Sequence, residues 1–245
     1  MINNAEVYLN RKINKLVITV PFSFNDSQKN SIKMAAELVG FNDIRIINEP
    51  FAAAYNYKKI ISCRKKIMAL DIGGKNPNAT ILKINYNKEE QFEILSSKEN
   101  KYLGGENLDN KLVDYFLDKF CHHESKENIL RYKQANKRLK IACVNIKKSL
   151  SKKDDADLKI LNFCGEKDIS DYVTRYNFEK LYNEFFEKLI NLIKHVLNNA
   201  KINKKEINEV ILACSSSKIP KIKLLLTEFF EISNKAESNK IIIND

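Results

Sequence analysis

The fold is constrained most by residues 15–55, where strand-like and helix-like segments alternate. Lys15 to Val20 and Ile44 to Ile47 are rich in β-branched residues, which predicts two short strands. A helix is predicted between them over about 25–39, and Glu49-Pro50 opens a second helix with proline at a tolerated first-turn position. This strand-helix-strand-helix succession favours two parallel strands joined by a right-handed crossover.

The first predicted helix carries signals at both of its ends. Asn25 can cap it, and Gln28 follows three residues later in the capping-box position. Gly40 is a suitable stop, because glycine tolerates the backbone conformation that often ends a helix.

The chain beyond this unit predicts a meander followed by mixed helices and strands. Three strand-like runs, at 67–72, 79–85 and 92–97, have no helix between them and favour antiparallel pairing. Apolar residues at helical spacing then predict four helices, at about 108–120, 129–150, 177–199 and 220–230. Runs rich in β-branched residues predict three more strands, at about 156–163, 168–174 and 209–214. Asn177 is the expected cap of the third of these helices. The fold class is therefore α/β.

Composition excludes several classes of protein. No apolar run approaches the roughly 18 residues that span a bilayer, so no membrane segment is expected, and the first residues carry no secretory signal. The net charge of +11 permits binding to nucleic acid, but the lysines are scattered along the chain, which argues against specific nucleic-acid binding.

The cysteines favour a reducing, cytoplasmic compartment. There are five of them at wide spacings with no CxxC pair, which argues against a disulfide framework or a zinc ribbon. Cys121-His122-His123 contains three possible metal ligands, but adjacent helical side chains point in different directions and cannot easily share one metal.

Six segments in order resemble the heat shock protein 70 (DnaK-type) family. They are Leu16 to Gln28, Arg45 to Tyr55, Asp71-Ile72-Gly73-Gly74, Leu103-Gly104-Gly105-Glu106 with Asp109-Asn110, Arg138 to Ser151, and Ile219 to Ile222. Six motifs in register across nearly the whole chain are far more specific than any one of them. The resemblance covers the later two-thirds of the family's nucleotide-binding domain.

This resemblance implies an actin-like (ribonuclease H-like) ATPase fold, in which ATP or ADP with Mg²⁺ lies between two lobes. Residues 1–61 would be an incomplete first lobe, 62–103 with 182–245 the core of a nearly complete second lobe, and 104–181 its insert. The family's first phosphate hairpin and catalytic lysine precede the matched segment, so we expect a truncated site. Nucleotide, a J-domain co-chaperone and a nucleotide-exchange factor are the implied partners.

The resemblance also implies roles for individual residues. Glu49 and Asp71 match the family's catalytic carboxylates, with Asp71 supporting Mg²⁺ through water; helix capping is the competing interpretation of Glu49. The implied nucleotide-binding residues are Gly73, Gly74, Gly104, Gly105, Glu106, Lys147, Lys148, Ser151, Ser216 and Lys218. A solvated basic surface is the competing interpretation of Lys147 and Lys148.

The second phosphate loop departs from the family pattern. A third glycine, a threonine, an aromatic and a second aspartate are replaced by Lys75, Asn76, Pro77 and Asn78. Pro77 removes an amide donor and Asn78 removes a carboxylate charge, so weaker metal organisation and slower hydrolysis are expected.

The adenosine helix and the last loop depart as well. Val144 replaces a ribose-contacting glutamate and cannot accept a hydrogen bond. Cys214 and Ser215 replace two glycines and place β-carbons where the backbone would approach phosphates. Lys218 keeps the charge of an arginine but not its planar stacking. Cys214 is expected to be a buried small residue rather than a nucleophile.

These observations leave three hypotheses. The first is an ATP-binding chaperone domain with impaired hydrolysis. The second is a non-catalytic interaction protein that keeps the fold without nucleotide turnover. The third and weakest is a basic nucleic-acid binder.

Overall fold

The computed structural model describes residues 2–55, 65–74, 76–85, 92–100, 103–120, 133–164, 167–232 and 240–243. The helices are α1 (Ile2–Leu9), α2 (Asp26–Leu38), α3 (Glu49–Tyr55), α4 (Gly105–Phe120), α5 (Lys133–Leu150), α6 (Arg175–Leu181), α7 (Asn183–Ala200) and α8 (Pro220–Phe230). The strands are β1 (Lys15–Val20), β2 (Asp43–Asn48), β3 (Lys65–Asp71), β4 (Asn78–Ile84), β5 (Phe92–Glu99), β6 (Asp155–Cys164), β7 (Lys167–Thr174), β8 (Glu209–Ala213) and β9 (Lys240–Ile243).

The first unit forms as its sequence predicts. Strands β1 and β2 are parallel, with Lys15 opposite Asp43 and Val20 opposite Asn48, and α2 connects them. The Asn25 side chain accepts from the Gln28 amide while the Gln28 side chain accepts from the Asn25 amide, which confirms the capping box. Gly40 takes φ +98°, a conformation that costs glycine little.

A five-stranded sheet with the order β5-β4-β3-β8-β9 forms the centre of the second unit. The predicted meander is confirmed, because β3, β4 and β5 pair antiparallel. Strands β3, β8 and β9 run parallel to one another. Both β3 and β4 are buried along most of their length, which explains their almost continuous apolar runs.

Helices α4, α5 and α7 share one large core with this sheet, and the hairpin of β6 and β7 packs its apolar residues into the same core. The mixture of parallel and antiparallel strands with packed helices confirms the α/β class.

One helix prediction is wrong. The segment expected as a single helix from Asn177 is two helices, α6 and α7, which meet at Tyr182. The cap of α6 is Thr174, whose hydroxyl accepts from the Asn177 amide. The apolar spacing did not reveal the break, because the Tyr182 amide still bonds to Phe178 as it would in a continuous helix.

Other boundaries shift by a few residues. Helix α5 begins at Lys133 in the described residues, and the Cys121-His122-His123 segment lies outside them. Strand β8 ends at Ala213, one residue early. No described helix combines the length and apolar character that crossing a membrane requires.

Tyr182 fixes the start of α7 against α4. Its side chain is buried, and its hydroxyl donates a hydrogen bond to the Leu108 carbonyl. Because α4 begins at Gly105, which belongs to the candidate site, this contact also positions that site.

We expect Tyr182→Phe to lower the free energy of unfolding by about 1 kcal/mol, because a buried hydrogen bond is lost while the ring remains packed. Urea denaturation followed by circular dichroism measures the change. The exposed Tyr176, on the neighbouring helix, is the matched control, and Tyr176→Phe should leave stability unchanged. Equal effects of the two substitutions would show that the Tyr182 hydroxyl has no structural role.

Candidate functional site

The candidate site lies where β3 and β8 end. Asp71, the last residue of β3, is opposite Ala213, the last residue of β8, and the Ile72 amide donates to the Ala213 carbonyl. The carboxyl ends of parallel strands meet at one edge of a sheet, which is where ligands commonly bind in open α/β sheets. The loops that follow both strands are therefore neighbours.

The start of α4 closes against the loop after β3. The Gly105 amide donates to the Gly73 carbonyl over 2.9 Å, and the Glu106 amide donates to the Gly74 carbonyl over 2.8 Å. The first amides of a helix have no partner within it. Two of these amides are satisfied by the loop, so in this state they are not directed at an anion.

Gly105 also contacts the loop after β8. A Cβ added to Gly105 would lie 2.6 Å from the Ser216 hydroxyl oxygen, a distance too short for a real contact. Ser216 and Gly104 are buried. A side chain at position 105 would therefore force the Ser216 hydroxyl to move, and the absence of one allows three chain segments to approach closely.

Lys147 reaches this junction from α5. Its ammonium lies 2.7 Å from a carboxylate oxygen of Asp109 and donates to the Gly105 carbonyl over 3.3 Å. Both partners of the ion pair are largely buried, so the interpretation of Lys147 as a solvated basic residue does not fit the structure. Lys148 is exposed, and the Ser151 hydroxyl donates to the Lys147 carbonyl within the helix.

Glu49 and Asp71 line a small cavity of about 30 Å³ below the loops, together with Asn78 and Thr80. This volume is large enough to hold a water molecule. Glu49 is the first residue of α3 and is half-buried. Burial raises its pKa above the ordinary value, and the negative charges of Asp71 and Glu99 raise it further.

Asp71 has an unsatisfied oxygen. Its Oδ1 is shielded from solvent, and no nitrogen or oxygen donor among the described residues reaches it. The hydrogen-bonding neighbour of this carboxylate is the thiol of Cys214, which is a weak donor. A buried carboxylate oxygen with so weak a partner is suited to a bound water or cation.

Asn78 stands on the same side of the cavity but is already engaged. Its side-chain oxygen accepts from the Thr80 hydroxyl over 2.7 Å and from the Ser97 hydroxyl over 3.2 Å. Thr80 and Ser97 are also within 2.7 Å of each other. The neutral amide oxygen is therefore held by protein hydroxyls, which leaves it a poor replacement for a charged metal-supporting carboxylate.

Cys214 has an unusual backbone. It takes φ 71° and ψ 165°, a region that only glycine occupies without strain. The expectation of a buried cysteine is wrong, since the residue is exposed. It stands at the turn out of β8, which places it at the edge of the sheet rather than in the core.

The thiol of Cys214 nevertheless lies among acidic groups. Although the residue as a whole is exposed, its sulfur is partly shielded from water, and this shielding, the hydrogen bond to Asp71 and the charges of Asp71 and Glu49 raise the pKa of Cys214 to about 12. The thiol is protonated at neutral pH, which agrees with the prediction that Cys214 is not a nucleophile.

Several predicted site residues are at the rim or outside the described residues. Gly74, Glu106 and Lys218 are exposed, and Val144 is half-exposed on α5. Lys75 and the side chain of Ser215 lie outside the described residues.

Two contributing residues were not predicted. Glu99 lies close enough to Glu49 to raise its pKa, and its carboxylate accepts from the Ser23 hydroxyl over 3.1 Å. The sequence position of Glu99, at the end of β5, does not indicate that it lies near Glu49, because only the tertiary structure brings that end of the strand beside α3. Asp109, the partner of Lys147, follows the Gly104-Gly105 pair by one helical turn, and that spacing could have indicated it.

The chemistry of these groups fits magnesium only in part. Asp71 offers one buried carboxylate oxygen, whereas Asn78 offers no charge and no free oxygen. Within the described parts of the chain, no group of three or more His, Cys, Asp or Glu side chains is arranged to hold a metal. The site suits an ion held through water by Asp71 better than one held directly by protein ligands.

Comparison with known proteins identifies one family. The model of the family described as Hsp70 protein matches residues 1–242. A heat shock 70 kDa protein of Neurospora crassa is 35% identical over 247 aligned positions, which cover 100% of this chain and 37% of that protein. The heat shock cognate 70 kDa protein 3 of Dictyostelium discoideum is 36% identical over 249 positions, covering 100% and 38%. The chain thus spans less than half the length of these relatives.

We expect Cys214→Gly to raise the free energy of unfolding by roughly 1 kcal/mol. Relief of backbone strain is worth about 1–3 kcal/mol, and the extra freedom of glycine in the unfolded chain offsets about 0.5–1 kcal/mol of it. Cys214→Ala is the matched control, because alanine keeps the Cβ and hence the strain. Denaturant titration measures the stability of both variants. If Cys214→Ala stabilised the protein as much as Cys214→Gly, backbone strain at this position would not be the cause.

The raised pKa of Cys214 predicts slow alkylation. At pH 8 iodoacetamide should modify this thiol at least about tenfold more slowly than an ordinary exposed cysteine, and the rate should rise as the pH approaches 12. Asp71→Asn should speed the reaction, because it removes a negative charge that disfavours the thiolate.

Mass spectrometry of the peptide that contains Cys214 gives the rate separately from the other cysteines. Glu187→Gln, on α7, is the control for a general change of charge and should have no effect. An unchanged rate in Asp71→Asn would show that the thiol does not interact with Asp71.

Proposed function

The chain belongs to the Hsp70 family, and on that premise we propose that it is a chaperone-type domain that binds adenine nucleotide with Mg²⁺ and hydrolyses ATP weakly or not at all. The observation that carries the proposal is the contrast between two side chains in one cavity. Asp71 keeps a buried oxygen that a water or ion would satisfy, whereas the oxygen of Asn78 is bound by two hydroxyls.

In this proposal the two acidic residues divide the chemistry. When Mg²⁺ and nucleotide are bound, Asp71 would hold the metal through water, and Glu49, which lines the same cavity, would orient the attacking water. Magnesium supplies charge neutralisation for the phosphates when it is bound. Because Asn78 is neutral, the chain would offer one carboxylate fewer for holding Mg²⁺, so the reacting groups would be positioned less well.

The glycine loops and the basic residues have the task of holding the nucleotide. In this proposal Gly73, Gly74, Gly104, Gly105 and Glu106 would lie beneath the phosphates. Lys147, Lys148 and Ser151 would contact the adenosine, and Ser216 and Lys218 would contribute from the last nucleotide loop.

Two features support weak binding in this proposal. The charge of Lys147 is already neutralised by Asp109, so an anion would gain less from it. Cys214 carries a side chain at a turn whose backbone conformation suits glycine, so a Cβ would stand where the backbone should approach a phosphate. Both features favour weak binding over tight binding.

The alternative is a non-catalytic interaction protein that keeps the fold without nucleotide turnover. The saturated amides of Gly105 and Glu106 favour it, because they are bound to the opposite loop rather than free for phosphate.

In either case we propose a cytoplasmic protein whose partners include a J-domain protein or a nucleotide-exchange factor. Nucleic-acid binding is the weakest candidate, and a steep loss of RNA affinity with added salt would be its signature.

We expect Mg-ATP and Mg-ADP to bind in isothermal calorimetry with a dissociation constant between about 1 µM and 1 mM. Cys214→Gly combined with Ser215→Gly should tighten binding, because the backbone can then approach the phosphates. Cys214→Ala combined with Ser215→Ala is the matched control and should not tighten it. Absence of heat at millimolar nucleotide in both the natural and the glycine chain would reject the nucleotide function in favour of the interaction protein.

Hydrolysis is tested separately by phosphate release. Asn78→Asp should increase any measurable rate, because it adds a carboxylate beside Asp71, and Glu49→Gln should abolish the increase without weakening binding. A rate that Glu49→Gln leaves unaltered would refute the role of Glu49 and assign the residue to capping of α3.

A further inference from the structure

Glu99 belongs to a row of side chains that crosses three strands of the central sheet. Asp71 of β3 is opposite Asn78 of β4, and Asn78 is in turn opposite Glu99 of β5. Opposed residues of antiparallel strands place their side chains on the same face of a sheet. The three side chains therefore share one face, with a carboxylate on either side of a neutral amide.

The neighbouring row on that face supports this placement. Side chains two residues apart on a strand lie on the same face, and two residues along from this row Thr80 is opposite Ser97. The hydroxyls of Thr80 and Ser97 lie 2.7 Å apart, and the Asn78 oxygen accepts from them over 2.7 and 3.2 Å. The amide oxygen of Asn78 is thus used by hydroxyls, and the charge of the row is carried by its two outer members.

The charge of Glu99 reaches the cavity of the candidate site. Glu99 is half-buried, and one of its carboxylate oxygens accepts from the Ser23 hydroxyl over 3.1 Å. Burial raises the pKa of Glu49, and the negative charges of Asp71 and Glu99 raise it further. The three carboxylates therefore repel one another, and a divalent cation is the kind of ligand that relieves such repulsion.

We propose that Glu99 is a positioning residue for Mg²⁺, which shares a hydrated ion with Asp71 and Glu49 and so offsets part of the charge that position 78 lacks. This inference rests on the proposed nucleotide function. A carboxylate supplied from β5 is not predictable from the motifs of the phosphate loops, because it enters the site only through the pairing of β5 with β4.

The spacing of the strands suits an ion held through water. Mg²⁺ usually keeps several waters at about 2.1 Å, and a hydrogen bond from such a water to a carboxylate adds about 2.7 Å. Two carboxylates up to about 10 Å apart can therefore hold one hydrated ion from opposite sides. Neighbouring strands are about 5 Å apart, so β3 and β5 flank β4 at this separation. Direct chelation is not required, in agreement with the lack of a chelating group of three acidic, Cys or His side chains among the described residues.

The same row accounts for a neutral residue at position 78. An aspartate there would face the carboxylates of Asp71 and Glu99 on its two sides, and like charges directly opposite each other destabilise a sheet. The amide at position 78 and the carboxylate at position 99 are therefore coupled, and exchanging them should keep the charge of the row.

The test is calorimetry of ADP binding in Mg²⁺ and in EDTA, because the ratio of the two dissociation constants measures the contribution of the ion. Glu99→Gln keeps the shape of the side chain and should reduce this ratio at least about threefold, since one negative charge near the ion is lost. Asn78→Asp in the Glu99→Gln chain should restore it, because the carboxylate returns to the same row. Glu93→Gln is the matched control, since Glu93 is an exposed residue of β5 that pairs with Lys83.

The outcomes separate this inference from the proposed function. Absence of ADP binding in both solutions rejects the proposed function and the inference with it. Binding that Mg²⁺ tightens equally in the natural and the Glu99→Gln chains keeps the function and rejects the role of Glu99. Binding that Mg²⁺ does not tighten, or a loss that Asn78→Asp does not restore, also overturns the inference.

A second measurement needs no ligand. In EDTA, Asn78→Asp should lower the melting temperature of the natural chain by more than it lowers that of the Glu99→Gln chain, because only the natural chain has a carboxylate on both sides of position 78. Circular dichroism follows the melting and checks that each variant is folded. Equal shifts in the two chains would show that Glu99 does not act on position 78 and would overturn the inference.

Discussion

The candidate site depends on the pairing of β3 with strands on both of its sides. Antiparallel pairing with β4 brings Asn78 opposite Asp71, and parallel pairing with β8 brings Ala213 beside the same residue. The buried side chains of β3 hold this register, because Met68 and Leu70 pack into one core cluster and Ile67 and Ala69 into another, and a slip by one residue would exchange side chains between two packed cores. Every loop of the site is attached to an end that this pairing fixes.

Around that edge, backbone conformation and side-chain identity do not match. Cys214 occupies a conformation that suits glycine, so packing rather than the local preference of the residue maintains the turn. Asn78 keeps its place beside the carboxylates but gives its oxygen to Thr80 and Ser97. The conformation of the loops therefore does not depend on ligand binding, because the packing of β3 and β8 maintains it.

The sequence by itself determined the α/β class, most strand and helix positions, the capping box at Asn25 and the family, because these depend on local periodicity and motifs. Even so, the break at Tyr182 was hidden, since its backbone remains nearly helical. Only the tertiary structure decided that Lys147 is neutralised by Asp109, that Glu99 acts on Glu49 and that Cys214 is exposed in a strained turn. Each of these depends on segments distant in sequence meeting at one edge of a sheet, and local spacing carries no information about such meetings.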